Sequence, residues 1–306
     1  MGNPSFRTDL PSALLTPPLT AGFAAHLIKQ MLLIGATLSG TAALAQTPLK
    51  SVFALPGVTE KVSAELVVRE SGPLTRELLI AFTDKATGCP ITEFEEELTQ
   101  QLHVLATDSD FSSFVHEHGG KPGTDGRFSV VMRFPKPGTY HVYADAMPKG
   151  LGQQVVRFEV PVVAAAAAAA APQVTPGSDG PYSVKLDTSA LRVGRESMMM
   201  LTVLKNGKPA TDLGLYLGVA AHAVFVNTED LSYVHAHAMA ADTAKGGHGN
   251  HGNHGGHVAH GASTDAARMM LHATPPRAGR YALWIQFKGG NQVRTVPFVV
   301  NVAAAP

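Results

Sequence analysis

Only one cysteine, Cys89, occurs in 306 residues, which excludes an intramolecular disulfide and any cysteine-built metal cage. A lone free cysteine is expected to pack as a small apolar residue. Net charge is also missing: 24 basic side chains balance 24 acidic ones, so no overall field favours nucleic acid or an anionic membrane surface. One tryptophan, Trp284, and no cysteine pair argue against the disulfide-and-tryptophan core of antibody domains. Long apolar runs are absent too. The best candidate, residues 31–44, is too short for a comfortable transmembrane span and lacks a stop-transfer flank.

That run reads instead as part of a secretory signal. MLLIGATLSGTAALAQ (31–46) follows the positive charge of Lys29 and ends in the small-x-small site Ala43-Leu44-Ala45. Residues 1–45, a long leader, are therefore expected to be removed, leaving a periplasmic or secreted protein that starts at Gln46. No histidine lies between that point and His103, which excludes metal chelation by an N-terminal histidine.

Fourteen histidines are the outlying polar feature. HVLATDSDFSSFVHEH (103–118) and HAVFVNTEDLSYVHAH (222–237) carry three each at one spacing: His103, His116 and His118, then His222, His235 and His237. In each, a His-x-His follows the first histidine by thirteen residues. Residues two apart on a strand share a face.

The whole chain repeats around these motifs. TDKATGCPITEF (83–94) and VLKNGKPATDL (203–213) align through Gly88 with Gly207, Pro90 with Pro209 and Thr92 with Thr211. Both copies close with a Pro-x-x-Gly turn and an aromatic strand, PKPGTYHVYAD (135–145) and PPRAGRYALWIQ (275–286), in which Gly138 and Tyr140 match Gly279 and Tyr281. Between the copies, an alanine run (164–171) and a Pro/Gly/Ser stretch to Pro181 read as a linker. Short alternating segments punctuated by turn residues, such as RFSVVMRF (127–134), indicate antiparallel sandwiches, not βαβ units. The expected fold is all-β: two tandem immunoglobulin-like antiparallel β-sandwiches, 50–163 and 182–304, joined by the alanine-rich linker.

If the pairing centres on residues 107–112, His103 falls opposite His116 and His118 lies diagonally on the same face, with the same geometry for His222, His235 and His237. Opposed Cβ atoms stand about 4.5–5.5 Å apart, within reach of one shared ion. Glu117 becomes Ala236 in the second copy and His141 becomes Ala282, so neither belongs to the repeated site, and His141 reads as a surface strand residue.

A second cluster, GGHGNHGNHGGHVAHG (246–261), sets His248, His251, His254, His257 and His260 at a three-residue period among glycines and asparagines. With almost no apolar content it is expected to be a metal-capturing loop, not a preorganised site. Of the methionines, Met198 to Met200 align with a core strand, and only Met239, two residues past His237, is retained as a soft ligand.

The histidine, acidic-turn, aromatic, His-x-His string followed by a Pro-x-x-Gly-x-Tyr strand resembles the YtkA-like family over roughly residues 58–163 and 182–302. These are secreted immunoglobulin-like domains associated with heavy-metal or copper binding. The resemblance implies that fold for both copies and a ligand role for His103, His116, His118, His222, His235 and His237. The inserted histidine loop departs from it.

All-imidazole sites suit copper, with zinc and nickel as alternatives, and disfavour oxygen-seeking ions. Because only neutral imidazole binds, affinity is expected to fall as pH drops through about 6.5. The expected function is non-enzymatic sequestration or hand-over of metal ions in the envelope, to another metal-handling protein there. No nucleic-acid partner and no membrane span after signal cleavage are expected. The alternative is an interaction module that binds another envelope protein without metal. A metal-dependent enzyme is disfavoured, because the one acid kept within the motif, Asp110 matching Glu229, falls in the turn.

Overall fold

In the computed structural model the described residues are 47–163, 175–241 and 264–304. Residues 1–46, the alanine run and all five histidines of the 246–261 stretch lie outside them.

Each copy folds as strands around its own apolar core. In the first, one sheet runs β1 (Leu49–Lys50), β3 (Val62–Gly72), β4 (Thr75–Asp84) and β8 (Phe128–Arg133). The facing sheet runs β2 (Val52–Phe53), β10 (Gln154–Val162), β9 (Gly138–Pro148), β6 (Leu102–Asp108) and β7 (Phe114–His118), with β5 (Phe94–Glu95) on β9. Period-two burial explains the layering. On β8, Phe128, Val130 and Met132 are buried while Ser129, Val131 and Arg133 are exposed. Phe82, Phe94 and Phe128 meet edge to face inside, the closest pair 4.8 Å apart.

The second copy repeats this plan with one difference. Its strands are β11 (Ser178–Asp179), β12 (Tyr182–Leu186), β13 (Ser197–Lys205), β14 (Lys208–Pro209), β15 (Leu213–Gly214), β16 (Ala221–Asn227), β17 (Tyr233–Ala240), β18 (Arg268–Ala273), β19 (Gly279–Gly289) and β20 (Gln292–Val302). They form a single ten-stranded sheet because β17 pairs with β18, His237 opposite His272. In the first copy β7 stops at His118. There a Cβ on Gly119 would come within 2.8 Å of Leu102, and Gly120 has φ of +60°, a conformation that favours glycine. The Pro-x-x-Gly turns are pinned alike: the Tyr140 hydroxyl donates to the Lys136 carbonyl and the Tyr281 hydroxyl to the Arg277 carbonyl, both at 2.9 Å.

Two expectations change here. Ser178 and Asp179, read as linker, form β11, and Asp179 accepts a hydrogen bond from the Thr295 amide. Cys89 is exposed on a turn, not packed as an apolar residue.

The copies pack against each other as parts of one compact unit, Ala45–Pro306. β6 and β16 are buried along their full length, since one face of each enters its own core and the other meets the opposite copy. Leu105, Tyr143 and Val155 pack there with Val224, Val226, Tyr233 and Trp284. Tyr143 stacks on Tyr233 at 5.1 Å and Phe114 on Trp284 at 4.8 Å. No helix among the described residues is long and apolar enough to cross a membrane.

Candidate metal centre

All six histidines of the repeated motif lie on this interface side, because alternation sends Leu102, Val104 and Ala106 into the core and His103 and Leu105 the other way. The register differs from expectation by two residues. His103 pairs with His118, and Leu105 with His116, so His116 is the diagonal ligand; in the second copy His222 pairs with His237. The cause is the connection. Asp108 remains in β6 and its Oδ1 accepts from the amides of Ser112 and Ser113, which moves the centre of the turn along the chain. Asn227 does the same for Glu229 and Asp230. A slip of two keeps every histidine on its face.

Within each trio the free nitrogens can be identified. His103 Nε2 donates to the Glu97 carbonyl at 3.0 Å, which leaves Nδ1 as a lone pair 3.3 Å from His116 Nε2. His116 Nδ1 donates to Gln286 Oε1 at 2.6 Å, and Gln286 is oriented by its own amide nitrogen donating to Thr295 Oγ1. His222 and His235 repeat this: Nε2 of His222 donates to the Tyr216 carbonyl at 3.0 Å, and its Nδ1 lies 3.2 Å from His235 Nε2. Nδ1 of His235 donates to Asp145 Oδ2 at 3.3 Å. His118 Nε2 and His237 Nε2 are buried with no hydrogen-bond partner.

This arrangement fits a cation. Imidazoles bound tetrahedrally at about 2.0–2.1 Å place their nitrogens about 3.3–3.4 Å apart. The donor atoms of each trio lie within 4.8 Å of one another, so each trio could hold a metal ion. A buried polar atom without a partner is costly, and a metal ion would satisfy both orphaned Nε2 atoms.

Burial keeps the rings of His116, His118, His222, His235 and His237 neutral. It pushes His116 and His235 well below the usual imidazole value, His118 down to about 4, and His222 and His237 down to about 3, with neighbouring imidazoles adding to the effect. Loss of metal as pH drops through about 6.5 is therefore not expected of these rings, because protons begin to compete only at lower pH. Asp145 is fully buried, which pushes its carboxyl up, while the Gln153 amide and the Tyr233 hydroxyl donate to it and hold it down.

Four positions were not evident in the sequence: Glu97, Tyr216, Asp145 and Gln286. Glu97 and Tyr216 each stand six residues before the first histidine of a trio, but act through backbone carbonyls that no residue type announces. They are presented by tight turns in which Leu98, Thr99 and Leu217 adopt positive φ, at 49°, 68° and 51°. Such angles strain non-glycine residues. Asp145 and Gln286 match in the repeat but differ in type.

Other expectations fare differently. Of Met198 to Met200 only Met199 enters the core, because alternation turns Met198, 59% exposed, and Met200 outward. Met239 is 46% exposed and pairs with Met270, which in turn pairs with Met200. Asp110 is exposed in the turn beside Lys136. The His141 side chain is only 12% exposed, held beside Arg157 and Phe111 and not at the open surface.

Fold and site together define an all-β tandem-sandwich protein with two histidine trios, each of one buried and two half-buried residues, that could each hold a metal ion. The chain belongs to the family described as a domain of unknown function, DUF8832, whose model matches it twice, at residues 56–164 and 174–304. No functionally curated protein matches it. Among solved structures it is similar to the Yersinia pseudotuberculosis adhesin InvE, at 13% identity and a TM-score of 0.22, covering 77% of this chain and 58% of that one. It is also similar to an endo-fucoidan hydrolase of glycoside hydrolase family 107, at 12% identity and a TM-score of 0.16, covering 86% and 45%. The chain thus spans about half the length of these structures, and likeness at those scores carries no functional argument.

Proposed function

We propose that this is an exported metal-binding protein that holds copper, or else zinc or nickel, in the cell envelope and passes it on without chemical turnover. The observation that carries this reading is the three-imidazole donor set, present twice, whose lone pairs converge and whose buried His118 and His237 Nε2 atoms have no protein partner. Neutral imidazoles without oxygen ligands favour copper, zinc and nickel over calcium or magnesium. Outward-facing Met239, beside His237 in sequence, adds a soft thioether that suits cuprous ion. Burial between two sandwiches suits retention of an ion, not admission of a substrate. The signal-like segment 31–46 supports export, and the resemblance to YtkA-like domains supports a heavy-metal role.

The test is metal counting on the full chain after exposure to copper, zinc or nickel and desalting. Replacing His116, His118, His235 and His237 with alanine should remove the tightly held ions. Replacing the five loop histidines with serine should remove only weaker ones. If the loop replacement alone abolishes binding, the trios are structural. If the intact chain retains none of the three metals, it is an interaction module.

A further inference from the structure

The two trios are not separate sites on separate domains. Across the interface His103 stands 5.2 Å from His235 and 6.4 Å from His222 by ring centroids, and His116 lies 6.0 Å and 6.1 Å from the same two. Six imidazoles thus form one contiguous group, flanked by the Phe114–Trp284 and Tyr143–Tyr233 stacks.

From this we infer that the trios form a single two-ion centre built at the interface, in which each copy supplies three ligands for one ion and the residue that orients a ligand of the other ion. The inference rests on the metal-binding reading above and extends it from two sites to one paired centre.

Two ions, not one shared ion, follow from where the lone pairs go. The hydrogen bonds to Glu97, Gln286, Tyr216 and Asp145 occupy one nitrogen on each of four rings. The remaining nitrogens approach each other inside a trio, at 3.3 Å and 3.2 Å. Donors therefore converge trio by trio.

The orienting residues cross over. His116 of the first copy donates to Gln286 of the second, and His235 of the second copy donates to Asp145 of the first. Neither trio is complete without the opposite sandwich. Asp145 also accepts hydrogen bonds from Gln153 on both oxygens and from Tyr233. The two ions are consequently unequal. The one held by His222, His235 and His237 has a carboxyl group as its outer partner, the other a carboxamide, and outer partners of different chemistry tune their ligands differently.

The experiment uses the full chain with its five loop histidines changed to serine, loaded with copper(II), desalted, counted by elemental analysis and examined by electron paramagnetic resonance. Two coppers per chain with a dipole-broadened spectrum and a half-field line are expected. Two coppers with spectra of isolated ions, or one copper per chain, would overturn the paired centre while leaving metal binding intact. Retention of none of copper, zinc and nickel would overturn both.

A second arm tests the crossing contact. In a chain that also carries H237A, so that the first trio is the intact one, Q286L should weaken copper binding about 10–100-fold and Q286E should restore it. Unchanged affinity in Q286L would remove the assigned role of Gln286.

Discussion

Asp145 and Gln286 occupy the same position of the repeat, and each orients a histidine of the opposite copy. Each is the strand partner of the first histidine of its own trio, His103 opposite Asp145 and His222 opposite Gln286. Each lies seven residues after its turn glycine, Gly138 or Gly279. Yet the ring each one contacts, His235 or His116, belongs to the other sandwich. One is a carboxyl group and the other a carboxamide, and the first prediction follows from that difference.

D145N should weaken one of the two ions about 10–100-fold and leave the other close to its original affinity. The metal-free protein should lose little stability or gain some, because the buried carboxylate then has no cation beside it. Chelator competition and urea unfolding measure the two effects. Equal weakening at both ions would contradict the assignment.

Metal-free stability should rise between about pH 5 and 7. Six histidines with lowered values, His116, His118, His141, His222, His235 and His237, bind fewer protons folded than unfolded below about 6.5, so their effect on stability is unfavourable there and fades as pH rises. Burial raises Asp145, Glu117 and Glu97, the last to about 7, and these act in the opposite direction. Six groups outweigh three. Urea midpoints should therefore be higher at pH 7 than at pH 5, whereas copper affinity should hold to about pH 5.5 and fail toward pH 4. A midpoint that falls over the same range would contradict this balance.

T99G should stabilise the protein by about 1 kcal/mol. Thr99 holds φ of 68° in the turn that offers the Glu97 carbonyl to His103, and its counterpart in the second copy is already a glycine, Gly218, at 83°. The gain should appear in urea unfolding with copper affinity unchanged. A loss of stability would mean that the Thr99 side chain makes contacts that outweigh its backbone strain.

W284A should cost about 3–5 kcal/mol and also weaken both ions. Trp284 is 3% exposed and stacked on Phe114, and Gln286 lies two residues along the same strand. Because both orienting contacts cross this interface, looser docking should lower copper affinity as well as the melting temperature. Intact affinity alongside lowered stability would show that each trio stands alone. In the unaltered chain, copper(II) but not zinc should quench the emission of this sole tryptophan.

Much of the fold was legible in the chain. Turn glycines and prolines at matched offsets, with period-two strands between them, are local consequences of backbone sterics and of burying one face, and they specify an all-β duplicated unit without any knowledge of distant contacts. The six ligands were legible as well, because their spacing recurs. The register was misjudged by two residues, since the capping of the turn by Asp108 and Asn227 depends on side-chain hydrogen bonds that apolar periodicity does not reveal.

By itself, the sequence determined two histidine-bearing sandwiches of the same design. Only the tertiary structure decided that β6 and β16 are covered on both faces and that the trios meet. It also decided that a carbonyl in a strained turn and a residue from the opposite copy select which nitrogen of each ring is free. Those contacts join residues far apart in the chain, such as His116 and Gln286, through docking of two apolar faces. Apolar docking is non-directional, so the sequence pattern marks which faces are buried but not which polar groups are thereby brought within hydrogen-bond reach.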